Sequence, residues 1–289
     1  MYTEYLRYCK IFIYLGLAIF PVNSIAESLT ADQIIDKANK VYSGDDSVSR
    51  LTFRFHEKNE QERKLVYSMI WKKYAADSDI HEKMIFFKEF PSKDKDVSFM
   101  MWIYKPEINH DDDQWLYLPD LRHVRKVTKQ ITSDSGSHRR RGHRHDNKDE
   151  FAKSVLHRPH LTIRPSRLDK NRILKEDSVG DSKFYVIERT PVNQDNDFPY
   201  QKTVNWINKD TYLLERVEYF DMNDTVILKQ KFFWKKSKNA WVWTRVEGID
   251  LLTDNQTILD ISDIRVNVNI RDKVFSNRSM KHGFTSLRL

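Results

Sequence analysis

The chain has 289 residues, with 49 Lys or Arg against 42 Asp or Glu, a formal net charge of +7 and 12% aromatic residues. With only 7 Gly and 8 Pro it is neither collagen-like nor low-complexity. Its mean hydropathy of −0.69 excludes a multi-span membrane protein, and one Cys excludes a disulfide framework or a Cys-rich zinc module.

Arg7 and Lys10 precede an uninterrupted apolar run over 11–20, which Pro21 ends. Ser24-Ile25-Ala26 then places small residues at the two positions a signal peptidase reads. This pattern predicts a cleavable secretory signal over 1–26, because a run of ten is too short to span a bilayer. An N-terminal membrane anchor is the alternative. Cys9 lies before the apolar run, so a mature chain from about Glu27 carries no thiol and no lipid-modified Cys. The expectation is a soluble periplasmic protein exported across the inner membrane.

Thr30-Ala31-Asp32-Gln33 is a capping box, with Leu29 and Ile34 in position for a hydrophobic staple. Ile34, Ile35, Ala38, Val41 and Tyr42 share one face, and Gly44 can end the helix, so an amphipathic helix is predicted over 30–43. From Ser49 the period becomes two: Leu51, Phe53 and Phe55 alternate with Thr52, Arg54 and His56. Further strands are predicted at 65–73, 83–90, 97–105, 113–119, 122–128, 171–176, 183–190, 201–208, 212–220, 225–235, 240–250 and 256–268. Leu228, Phe232 and Trp234 share a face opposite Lys229, Lys231 and Lys235, the signature of an antiparallel sheet with one wet side. A second helix is predicted at 147–157, with Phe151, Val155 and Leu156 facing inward. The fold class read from the pattern is α+β, mainly antiparallel β, as one large curved sheet with helices on its apolar face. No linker divides 27–289, so a single domain is expected.

Trp102, Tyr104, Trp115 and Tyr117 fall at period-two positions on strands expected to be neighbours. They either fill an ordinary core or line a partly empty apolar concavity that takes a hydrophobic ligand.

The segment 111–126, Asp-Asp-Asp-Gln-Trp-Leu-Tyr-Leu-Pro-Asp-Leu-Arg-His-Val-Arg-Lys, resembles the DDxQWLYLPALRRVRRI stretch of the outer-membrane lipoprotein-sorting proteins, LolA/LolB-like periplasmic carriers. Segments 184–191, 204–212, 216–221 and 261–268 resemble the same family in the same order. The resemblance implies an incomplete β-barrel (LolA-like), closed by helices over its concave face, with a hydrophobic cavity for acyl chains. Trp102, Tyr104, Trp115 and Tyr117 are the candidates for cavity lining, and Arg122, Arg125 and Lys126 for head-group or partner contacts, with plain surface charge on a strand as the alternative for these three. Membership also implies an inner-membrane exporter as a partner.

The sequence departs from the family after Ser135-Gly136-Ser137, where an apolar and acidic stretch is usual. It reads His-Arg-Arg-Arg-Gly-His-Arg-His over 138–145 and stays atypical to about Pro165. Residues 121–145 hold eight basic side chains against Asp134 alone, so this one stretch carries a charge equal to that of the whole chain. One reading is a basic loop that touches anionic head groups. A metal site from His138, His143 and His145, with His157 and His160, is a second; the lack of Cys and the crowd of cations argue against it. Nucleic-acid binding lacks the interleaved aromatics it needs. A third reading is a local out-of-frame segment over about 138–165, since a one-base shift of 138–145 can encode Ile-Gly-Gly-Glu-Asp-Ile-Asp-Met. The gene's nucleotides decide that reading.

No Gly-x-Ser-x-Gly elbow, phosphate loop or His-Glu-x-x-His motif is present. Asp111, Asp112 and Asp113 suit a turn before a strand better than acid–base or calcium chemistry, because successive strand residues point to opposite faces. The expectation is a non-enzymatic carrier or chaperone that needs no cofactor and binds a lipid or lipoprotein acyl chain, with transient membrane-surface contact. The rival is an accessory subunit of an inner-membrane exporter with no ligand of its own. A metal-handling protein ranks third.

Overall fold

The computed structural model describes residues 28–108, 110–127, 154–156, 158–193 and 198–287. The signal at 1–26, the basic run at 138–145 and His157 lie outside them. Thirteen strands form one antiparallel sheet. They are β1 (Asp46–His56), β2 (Arg63–Lys73), β3 (Ile80–Phe90), β4 (Ser98–Tyr104), β5 (Asp113–Leu118), β6 (His123–Val127), β7 (Asp169–Val179), β8 (Ser182–Pro191), β9 (Lys202–Asn208), β10 (Leu214–Phe220), β11 (Val226–Ser237), β12 (Ala240–Asp250) and β13 (Gln256–Val266). The order is β6-β5-β4-β3-β2-β1-β13-β12-β11-β10-β9-β8-β7, so β1 and β13 pair at the centre while β6 and β7 end the sheet without closing it.

The helix α1 (Ala31–Asn39) begins with both capping-box bonds in place: Gln33 N–H donates to the Thr30 hydroxyl, and Thr30 N–H donates to the Gln33 side chain. Ile34 and Ile35 are fully buried and Leu29 packs beside them. The helix is shorter than its apolar pattern. It stops at Asn39, and Tyr42 turns outward to donate to Asp45. Gly44, at φ +100°, serves the turn into β1 rather than the helix end, and a Cβ there would meet Asn267 Oδ1 at 3.3 Å.

Period two places every described strand residue on one of two faces. One face carries Leu51, Phe53 and Phe55 of β1, Ile187 of β8, Val217 and Tyr219 of β10, and Leu259 of β13, all in one cluster with α1. Strands β2 and β8 have six others between them, yet Leu65 and Ile187 join this cluster, so the sheet curls about α1 and this face is concave. The opposite face of β1–β5 carries Val48, Ile70, Ile85, Phe87, Met100 and Tyr117. It is covered by the C-terminal segment, whose Ile270, Val274, Phe275 and Met280 are buried, the last on α2 (Asn277–His282). Of the two described α-helices, α1 alone lies on the concave face, beside Val155, Leu156, Leu161 and Ile163, and the sequence pattern did not announce α2. Of the second predicted helix, residues 154–156 are described and are not helical, although Val155 and Leu156 face the core as expected.

Candidate functional site

The concave face changes character along its length. Under α1 it is apolar. Towards the start of β9 and the end of β8 it becomes polar, because Thr203 and Asn205 of β9 point inward together with Arg189 of β8. Arg189 and Asp169 form an ion pair at 2.6 Å with both side chains 3% exposed. Burial pulls the Arg189 guanidinium below its ordinary value, while the Asp169 carboxylate opposes that shift. Arg189 also donates to Asn171 Oδ1 at 3.0 Å and to the carbonyls of Arg164 and Pro165. Asn171 in turn donates to Asp32 of α1 at 2.7 Å, so the helix is tied to the buried pair through one amide. A second tie runs from Ser166 to Asp36 at 2.7 Å, and Lys37 lies 4.8 Å above the Tyr212 ring.

The segment 158–165 roofs this polar end. His160 is buried; its Nδ1 lies 3.1 Å from the Val155 carbonyl and its Nε2 2.7 Å from the Tyr200 hydroxyl. A carbonyl only accepts, so Nδ1 carries the proton and Nε2 accepts from Tyr200. Burial pushes the Tyr200 hydroxyl up to about 12. Gln230 donates to the His160 carbonyl at 2.7 Å and accepts from Tyr219 at 2.8 Å. Between roof and sheet lies a cavity of about 20 Å³, bounded by Arg189, Thr203, Asn205 and Val217 below and by His160 and Phe198 above. That volume holds one water-sized group.

Trp102, Tyr104, Trp115 and Tyr117 share a face, as their spacing predicts, through the β4–β5 pairs Met100↔Trp115 and Ser98↔Tyr117. That face is the one opposite α1. Trp102 and Trp115 meet edge to face at 5.0 Å, and Lys83 Nζ stands 4.1 Å from the Trp102 ring. Tyr104 donates to Asp113 at 3.1 Å. Tyr117 is buried in the cluster beneath the C-terminal segment, with Trp102 and Trp115 at its margin. Alternation says which residues share a face; it does not say which face a helix will occupy.

Arg122 sits in the β5–β6 turn with φ +48° beside Leu121, which is 68% exposed. Arg125 is exposed on β6, and Lys126 pairs with Asp113 at 2.5 Å. Asp113 opens β5, and Asp112 accepts from the Tyr104 N–H, so two of the three aspartates shape the entry to the strand. Among the described residues no group of three His, Cys, Asp or Glu is placed to hold a metal. His138, His143 and His145 lie outside them. His160 is held by carbonyl and hydroxyl partners in the core. Val155 and Leu156 pack closely against Gly248.

Sequence reading missed Arg189, Thr203, Asn205 and Tyr200, and considered His160 only as a metal ligand. Arg189, Thr203 and Asn205 stand at inward positions that only the pairing of β8, β9 and β10 reveals.

A family model described as an uncharacterized protein matches residues 80–282. No curated protein matches the chain. Among solved structures, a DUF1329 family protein from Desulfovibrio piger superposes with a TM-score of 0.69 at 21% identity, covering 88% of this chain and 100% of that one. An outer membrane lipoprotein-sorting protein domain from Vibrio parahaemolyticus gives 0.64 at 20% identity, over 86% and 96% of the two chains. A LolA superfamily protein from Nitrosomonas europaea gives 0.57 at 16% identity, over 87% and 100%. These likenesses establish the fold. No described helix is long and apolar enough to cross a membrane.

Proposed function

Since the chain belongs to the family of uncharacterized proteins whose model it matches, and shares its fold with lipoprotein-sorting domains, we propose that it is a periplasmic, non-enzymatic carrier of a lipid or lipoprotein acyl chain, built as a single domain over 27–289. The observation that carries this reading is the concave apolar face covered by one short helix and the roof segment. Ile34 and Ile35 occupy the place an acyl chain would take.

The energetics favour exchange. Re-exposing two isoleucines costs roughly 3–6 kcal/mol, whereas burying a dozen methylenes gains roughly 10 kcal/mol at about 0.8 each. The acyl chain thus displaces α1 without special polar chemistry, and α1 returns when the chain leaves. The ties from Asp32 and Asp36 to Asn171 and Ser166 set where the helix reseats. Arg122 and Arg125, beside the exposed Leu121, are proposed to touch anionic head groups or a partner at the moment of transfer.

The test is titration of the purified protein with a fluorescent fatty-acyl probe, wild type against Ile35→Asn. The carrier reading predicts saturable micromolar or tighter binding, and looser seating of α1 in the variant. Absence of binding to a folded wild type would sink it. The rival, an accessory subunit of an inner-membrane exporter with no ligand, is favoured by the complete burial of Ile34 and Ile35, which shows α1 seated rather than open.

A further inference from the structure

Asn205 is 4% exposed, sits in register between Ile187 and Val217, and its Oδ1 has no hydrogen-bond partner among the described residues. Its side chain is among those that line the 20 Å³ cavity. Two residues earlier Thr203 is equally buried on the same face. Two earlier again, at the mouth of the strand, Gln201 holds a second buried amide oxygen without a partner. Leaving a buried amide oxygen unpaired is costly, so Asn205 marks a place where a donor is missing, with Gln201 just ahead of the strand in the same condition.

We propose that this cavity receives the polar end of the carried molecule, and that this end is an uncharged hydroxyl or amide that donates to Asn205. The inference rests on the carrier reading and names the class of its cargo. A volume of about 20 Å³ suits one small polar group better than a phosphate. The two cations that line the cavity are already engaged: Arg189 by Asp169, Asn171 and two carbonyls, and Arg164 by Asp169 at 2.8 Å. A carboxylate offers no proton to Oδ1, whereas a hydroxyl or amide both donates and accepts, as the Asn side chain does. The apolar face under α1 adjoins Asn205 through Ile187 and Val217, so an acyl chain and its first polar group would fit end to end.

Competition titrations with three molecules that share one oleoyl chain test the proposal: oleamide, monoolein and oleate. Wild type is expected to bind oleamide or monoolein roughly tenfold more tightly than oleate, the worth of one or two net hydrogen bonds. Which of the two wins tells amide from hydroxyl. Asn205→Leu, which removes the unpaired amide at similar volume, is expected to fall to less than about threefold preference with no loss of melting temperature. Should that variant fail to fold, Gln201→Met at the mouth of the strand is expected to lower the preference instead. Equal affinity of wild type for all three, or a preference that survives both substitutions, overturns this inference alone. Binding of none of the three overturns the carrier reading and this inference with it.

Discussion

Leu156 stands so close to Gly248 that a Cβ on the glycine would lie 2.7 Å from Leu156 Cδ2 and 3.2 Å from Val155 Cγ1. The roof segment is thus keyed to the sheet at a position where β12 has no side chain. Gly248→Ala is expected to cost about 1–3 kcal/mol by overpacking, and Leu156→Ala about 2–5 kcal/mol by leaving a cavity. In the double variant the new methyl occupies part of that cavity, so the combined loss should be smaller than the sum. Denaturant unfolding of all four proteins measures the coupling; strict additivity would show that the contact is not made.

The four aromatics of β4 and β5 give a second prediction. Trp115→Ala with Tyr117→Ala removes packing beneath the C-terminal segment. Amide exchange should quicken over 268–287 while acyl-probe affinity stays within about twofold of wild type, since the distant concave face is untouched. If the folded variant loses acyl binding instead, these residues line the ligand site and the concave face does not.

Arg122 allows charge to be separated from conformation. Its φ of +48° suits glycine, so Arg122→Gly is expected to leave the turn as stable or more so. Combined with Arg125→Ala it removes two cations beside Leu121. Affinity for vesicles containing anionic lipid should fall by about 30-fold at low salt, and the difference should shrink as ionic strength rises. Vesicle sedimentation at two salt concentrations measures this, and unchanged partition would remove these residues from membrane contact.

Alkaline pH tests the roof. Burial pushes Tyr200 up to about 12 and Tyr219 further still. A phenol with a raised folded value favours the folded state fully below its unfolded value near 10, and that contribution is lost as pH rises through the folded value. The melting temperature should therefore fall steeply between about pH 10 and 12. In Tyr200→Phe the fall should be shallower, while stability at pH 7 drops because the bond to His160 is gone. A slope identical to wild type would mean that Tyr200 is exposed in solution.

Much of this was legible in the sequence for a physical reason. Strands with one wet face write their register in period two, and the segments marked from Ser49 to 268 correspond to β1 through β13. Thr30 and Gln33 announced the start of α1 because capping is local chemistry. Tyr42 and Gly44 misled on its end, because an apolar residue and a glycine after the last turn can as well serve the next element, and here they meet Asp45 and Asn267. The side that α1 would choose was not legible, since Trp102 and Phe99 alternate alike whichever face is covered. Nor was the polar column on β9: Asn205 between Val204 and Trp206 reads as an outward residue, and only pairing with Ile187 and Val217 shows that it points in.

The most direct measurement compares the native and denatured masses of the protein purified from its own envelope fraction without detergent, with analysis of an organic extract. A carrier predicts a near-stoichiometric excess mass that the extract identifies as a lipid or acylated peptide, with a hydroxyl or amide next to its chain. A native mass equal to the bare chain, together with no binding of acyl probes by that same preparation, would contradict the account.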